Sequence, residues 1–101
     1  MSEVVHLVLA RWSPSADAEL REEARAVARS LATRIPGILQ LDEGPSISPE
    51  GLEQGYDYGL TVRFVDAAAR DAYLPHPAHL ELVRLFESGL DAVAVFDIAA
   101  R

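Results

Sequence analysis

The chain has 101 residues, half of them hydrophobic, no cysteine, and a formal net charge of −7 at pH 7. That length predicts one domain built on a single core, and the lack of cysteine excludes a disulfide framework, a thiol nucleophile and a thiolate metal site. All nine basic residues are scattered arginines, so the basic patch that tracks phosphates is missing and nucleic acid is not an expected partner.

No stretch approaches the roughly 20 apolar residues of a membrane span, and Met1-Ser2-Glu3 lacks the basic start of a secretory signal. No membrane partner is expected, and the cytoplasm is the default location. Residues 1–101 read as one domain with no internal repeat, low-complexity tract or linker.

Val4 to Trp12 combines β-branched and large apolar residues and predicts a strand. His6, Val8, Ala10 and Trp12 fall on one face, Val5, Leu7, Leu9 and Arg11 on the other. Both faces are largely apolar, so both are expected to be covered. Ser13-Pro14-Ser15 ends the strand and offers N-cap candidates, with Asp17 and Glu19 placed to suit a helix N-terminus. The helix is expected to run to about Ile35. It buries Leu20, Ala24, Val27, Ala28, Leu31 and Ile35 and turns Arg21, Glu22, Arg25 and Arg29 to water. Ala24 and Ala28 are small for a buried stripe: either a hollow lies beneath the helix, or helix and sheet approach closely.

Pro36-Gly37 stops that helix, and Ile38 to Glu43 predicts a short strand. Gly44 to Gln54 is a loop that either connects two strands or covers a site. Tyr56 to Phe64 alternates most clearly, with Tyr56, Tyr58, Leu60, Val62 and Phe64 towards the helices and Asp57, Gly59, Thr61 and Arg63 away from them. Asp66 can cap a short helix from Ala67 to Tyr73. A further helix runs from Pro77 to about Ser88, with Gly89 as its stop. Asp91 to Ile98 closes the chain as a strand that is apolar on both faces.

Strand, helix, strand, strand, two helices, strand, with right-handed crossovers, predicts a ferredoxin-like α+β sandwich. One four-stranded antiparallel sheet carries the helices on a single face. The first and last strands nevertheless look apolar on both faces. The uncovered face is therefore expected to pack on a second copy as a homodimer, with Asp57 and Arg63 paired or at its rim.

Residues 72–81 gather two of the chain's three histidines with a tyrosine and two prolines at the corner between the last two helices. Leu74 and His76 each precede a proline and are expected to be extended. Pro77 suits the first helical position. His79 then lies in the first turn, sharing the apolar face of Leu82, Val83 and Phe86 rather than the face of Glu81 and Arg84. Burial and the positive end of the helix favour a neutral imidazole there, the form a general base needs. The plainer reading is a histidine that packs, or that caps the helix.

His6 in the first strand, Ile35-Pro36-Gly37, Gly51-Leu52 to Gly55-Tyr56-Asp57, and the Tyr73-Leu74-Pro75-His76-Pro77-Ala78-His79 segment together resemble the stress-responsive A/B barrel (Dabb) family over essentially the whole chain. The resemblance implies a dimeric α+β barrel. It also implies a relationship to the family's polyketide cyclases, which need no cofactor and close a linear polyketide by aldol condensation. By that resemblance His79 corresponds to the catalytic base, Tyr73 to the tyrosine that assists it, and His6 to a histidine lining the pocket. Tyr58 stands where the cyclase pattern has a histidine, and Ala28 where it has a tyrosine.

The enzymatic reading places a pocket between sheet and helices, lined by His6, Val8, Tyr58, Leu60, Val62, Tyr73, His79 and Leu82, with neither metal nor organic cofactor. His79 takes a proton from carbon beside a carbonyl, and Tyr73 or Tyr58 donates to the developing enolate oxygen of a hydrophobic or aromatic, polyketide-like molecule. A cofactor-free monooxygenase is the other enzymatic option. Against both stands a non-catalytic dimer that binds an apolar ligand or is purely structural, with His6 hydrogen-bonded inside it. A metal site built on His76 and His79 lacks an evident carboxylate or cysteine to complete it, so no metal is expected.

Overall fold

The computed structural model describes residues 2–100; Met1 and Arg101, the ends of the expected domain, lie outside them. The elements follow in the order β1 (Glu3–Trp12), α1 (Ala18–Arg34), β2 (Ile38–Pro45), β3 (Tyr58–Phe64), α2 (Ala67–Tyr73), α3 (Pro77–Gly89) and β4 (Leu90–Ala100). The sheet order is β2-β3-β1-β4, and every neighbouring pair is antiparallel. This is the ferredoxin-like α+β arrangement, with β2 and β4 as its edges. The register sets His6 opposite Val62 on one side and opposite Asp97 on the other.

One sheet face holds the core. Val4, His6, Val8 and Ala10 of β1 and Tyr58, Leu60, Val62 and Phe64 of β3 are all buried on it, beneath Ala24, Ala28 and Leu31 of α1 and Leu82 of α3. Alternation at period two puts every second strand residue on this face, and the helical stripe meets it. No helix among the described residues is long and apolar enough to cross a membrane.

Local chemistry fixes where the elements begin and end. The first helix starts at Ala18 because Asp17 Oδ1 accepts the Leu20 N–H at 2.8 Å. The Ser13 and Ser15 hydroxyls, expected as candidate caps, bond to each other instead at 2.8 Å. After that helix Gly37 takes φ +88°, and a Cβ on it would lie 2.6 Å from the Ala69 Cβ, so both backbone and space demand glycine. β2 continues to Pro45, and β3 starts only at Tyr58.

Several expectations need correction. Arg21 and Arg25 do not face open water. Arg21 is half-buried and donates to the carbonyls of Ala16 and Ser13 at 2.8 and 3.2 Å. Arg25 and Arg29 both donate to Glu43, whose side chain is only 3% exposed. A buried carboxylate is retained when charged donors surround it. Leu74 is helical (φ −57°, ψ −45°) although proline follows. Its N–H bonds to Arg70 O at 3.3 Å, and the His76 N–H bonds to Tyr73 O at 3.0 Å. These bonds hold the corner against the steric preference for an extended residue.

As expected, one chain leaves the outer face of β1 and β4 uncovered, and β4 is open on its inner face too. On the outer face Leu9, Phe96 and Ile98 are 38%, 65% and 47% exposed. On the inner face of β4, Val93 and Val95 are 56% and 58% exposed, because the edge strand lies beyond the helices. The two charges that sat awkwardly on the outer face are accounted for. Arg63 pairs with Glu3 at 2.8 Å, and Asp57 Oδ1 accepts the Trp12 N–H at 3.1 Å.

Candidate functional site

Where the helices stop short of β4, a cleft of about 440 Å³ opens between α3 and the β1–β4 edge of the sheet. His6 and Val8 of β1, Leu60 of β3, Tyr73 and Leu74 at the end of α2, and Val93 and Val95 of β4 form part of its lining. Along α3 the lining is His79, Leu82, Val83, Phe86 and Glu87, one face of the helix at three- and four-residue spacing.

Of the residues expected to line a pocket, His6, Val8, Leu60, Tyr73, His79 and Leu82 do so. Tyr58 and Val62 do not. Val62, on an inner strand, is fully buried in the core. The Tyr58 ring packs 5.1 Å from Trp12 and 6.2 Å from Phe86, closing one end of the core. Ala24 and Ala28 are absent from the lining as well, so their small size serves close approach of α1 to the sheet. The 46–56 loop stays away too: Ser46, Leu52, Glu53, Gln54 and Tyr56 help to line a separate cleft of about 350 Å³ against Leu9.

His79 is half-buried, and its Nδ1 donates to the Leu74 carbonyl at 2.9 Å. Carbonyls only accept, so the proton sits on Nδ1, and in the neutral ring Nε2 carries the free lone pair. Burial lowers the pKa of this imidazole below the ordinary 6.5; the Leu74 bond works the other way, and the nearby His6 and His76 add to the depression. His76 is used differently, since its Nδ1 accepts the Ala78 N–H at 3.0 Å and caps α3. No group of three or more potential metal ligands forms among the described residues.

Tyr73 lies between the two remaining imidazoles, its ring 4.2 Å from His79 and 5.7 Å from His6 by centroid, and 4.9 Å from Phe64. It is fully buried, and its hydroxyl has no hydrogen-bond partner among the described residues. Burial raises this phenol well above its usual range, so it stays protonated and can only gain from donating. Tyr73 lines the cleft wall, and a ligand carbonyl reaching its hydroxyl would satisfy this orphan donor.

Behind this pair stands a charged chain that residue patterns alone did not bring out. His6 Nδ1 donates to Asp97 Oδ1 at 2.6 Å, and Arg70 in the last turn of α2 bonds the other oxygen of Asp97. Burial works against the Asp97 carboxylate, but the bonds from His6 and Arg70 outweigh it and hold its pKa below the ordinary value. An acid in the otherwise apolar run from Ala92 to Ala100 was the available signal. Its meaning depended on the β1–β4 register, which places it beside His6. A carboxylate with a depressed folded pKa stabilises above its unfolded pKa and loses that contribution as pH falls through the folded one. Asp97→Asn is therefore expected to cost about 1–2 kcal/mol at pH 7, discounted for a partly exposed site. Urea melts should show the difference from wild type narrowing as pH falls below about 3.8 and closing once pH is below the folded pKa of Asp97. A difference that does not narrow as the medium is acidified would mean that the ionised form of Asp97 is not what stabilises.

Sequence comparison adds an independent view. The profile of the Stress responsive A/B Barrel Domain family (Dabb) matches residues 4–100. A stress-response A/B barrel domain-containing protein of Arabidopsis thaliana is 32% identical over 94 residues, covering 93% of this chain and 86% of its own. Olivetolic acid cyclase of Cannabis sativa is 24% identical over 98 residues, covering 97% of each chain. Among solved structures, a dimeric ferredoxin-like protein of unknown function from Jannaschia sp. superposes with a TM-score of 0.84 at 30% identity, over 95% of this chain and 97% of its own. The fold, the family profile and these relatives agree, and the chain belongs to the stress-responsive A/B barrel (Dabb) family.

Proposed function

We propose that this protein binds a small apolar carbonyl compound in the cleft between α3 and the β1–β4 edge, and acts on it as a cofactor-independent, cyclase-like base catalyst. The observation that carries the reading is the pairing of a histidine whose Nδ1 is committed to Leu74 with a buried tyrosine hydroxyl that lacks a partner. His79 Nε2 takes a proton from the carbon beside the carbonyl. The C–H electrons move onto the carbonyl oxygen, and Tyr73 donates to that oxygen. The enolate carbon then attacks a second carbonyl of the same molecule, forming a C–C bond, and the proton held on His79 is returned to the new alkoxide. The name of the Cannabis sativa relative supports chemistry of this kind. The test is exchange of the α-protons of an aryl methyl ketone in D₂O, followed by proton NMR with and without the protein. Exchange above the buffer rate is expected, and binding of the ketone with no exchange would leave a non-catalytic ligand carrier.

The homodimer belongs to the same reading. Leu9, Phe96 and Ile98 form an exposed apolar outer face, and the Jannaschia protein of the same fold is described as dimeric. A second copy on this face would bury a surface that monomeric proteins rarely leave contiguous. Phe96→Asp is expected to convert a dimer into a monomer by light scattering after size exclusion. A dimer of wild-type strength in that variant would place the interface elsewhere.

A further inference from the structure

The cleft is electrically lopsided. The third helix runs along it from His79 near the helix N-terminus to Glu87 in the last turn, eight positions and about 12 Å away at helical rise. Asp91, just past the helix, lines the same far end. Both acids are exposed, and neither has a salt-bridge partner among the described residues. That end also receives the negative pole of the helix, whose last turn has no basic residue to offset it. No arginine lines the cleft. Apolar walls concentrate such a field instead of screening it, and the net charge of −7 has the same sign.

We infer that the cleft rejects anionic molecules and takes a carbonyl compound with an apolar body and a cationic far end, Glu87 and Asp91 setting that preference. The proposal rests on the cleft being a ligand site, with the carbonyl at Tyr73 and His79. The distance between the two ends fixes the geometry: a carbonyl and an ammonium group separated by about 10–12 Å, roughly the run of α3 between His79 and Glu87. Free carboxylic acids and phosphate-bearing thioesters of the same length would place like charge against like.

The test uses three 6-acylnaphthalene fluorophores that share the aryl ketone and differ only in a short tail at the 2-position, ending in an ammonium, a hydroxyl or a carboxylate. Fluorescence titration at low salt is expected to rank them in that order, the ammonium compound binding about tenfold or more tighter than the carboxylate. In a Glu87→Gln/Asp91→Asn variant, whose melting temperature confirms folding, the three affinities should converge. In wild type they should converge at about 1 M salt, where screening acts within about 3 Å. Equal affinities in wild type, tightest binding of the carboxylate, or a ranking that survives in the variant would each overturn the charge preference alone. Failure of all three probes to bind would instead remove the cleft as a ligand site, and the preference with it.

Discussion

Replacing His79 with alanine is expected to lower catalysed α-proton exchange by about 100-fold or more, while costing only about 1 kcal/mol of stability for the lost bond to Leu74. The two readouts separate a base from a packing residue. His79 is half-buried and donates once to a backbone carbonyl, so its removal leaves a small gap and one carbonyl that water can reach. The pH dependence is a second check. The folded pKa of His79 lies below the ordinary 6.5, chiefly through burial. The neutral base therefore persists through neutrality, and the rate should be flat there and fall only below about pH 6.5. The same shift has a stability consequence of the opposite sense to that of a histidine gaining a partner. Below 6.5 the unfolded chain takes up the proton first, so wild type loses stability as pH falls towards the folded pKa, and the alanine variant lacks that component. A large loss of stability with exchange unchanged would show that the ring packs and does nothing else.

Tyr73 is expected to give the largest structural effect and the sharpest contrast between two substitutions. Tyr73→Ala removes a fully buried ring from among Phe64, His6 and His79, and should cost about 3–5 kcal/mol. Small domains have only about 5–15 kcal/mol in total, so this variant sits near the edge of folding. Tyr73→Phe keeps the ring and removes only a hydroxyl that has no protein partner. Chemical melts should find it as stable as wild type or up to about 1 kcal/mol more stable, because an unsatisfied buried group is deleted. Exchange should still fall about 10- to 100-fold, since the enolate oxygen loses its donor. A phenylalanine variant that is fully active would transfer the donor role to another group, and one that is clearly destabilised would show that the hydroxyl already has a partner in solution.

Most of the fold was legible because it depends on local spacing. Alternation at Tyr58, Leu60, Val62 and Phe64 and the stripe from Ala24 to Leu31 each determine which side of an element is buried. The proline before Ala78 and the two histidines beside it likewise located the corner that carries His79. What sequence could not supply was the reach of the helices across the sheet. Tyr58 and Val62 share a face with Leu60, and only the position of α3 decides that Leu60 borders the cleft and they do not. Asp97 and Arg70 were missed for a related reason: the His6–Asp97 bond spans 91 residues of chain and depends on the β1–β4 register, and the Arg70–Asp97 bond joins a helix to an edge strand 27 residues away. Leu74 went against its pre-proline preference because hydrogen bonds on either side of it set its backbone.

The bond from His79 to Leu74 spans only five residues, within the corner that Pro75 and Pro77 shape. The ring's tautomer is thus set by a bond closed within a hexapeptide, on a corner that the Arg70 and Tyr73 carbonyls hold. Such a unit is portable: grafted onto another helix–helix corner of the same geometry, it would carry its aligned nitrogen with it. Conversely, residues away from this corner and from the Tyr73 ring that packs on it can reshape the cleft while the bond that sets the tautomer stays local.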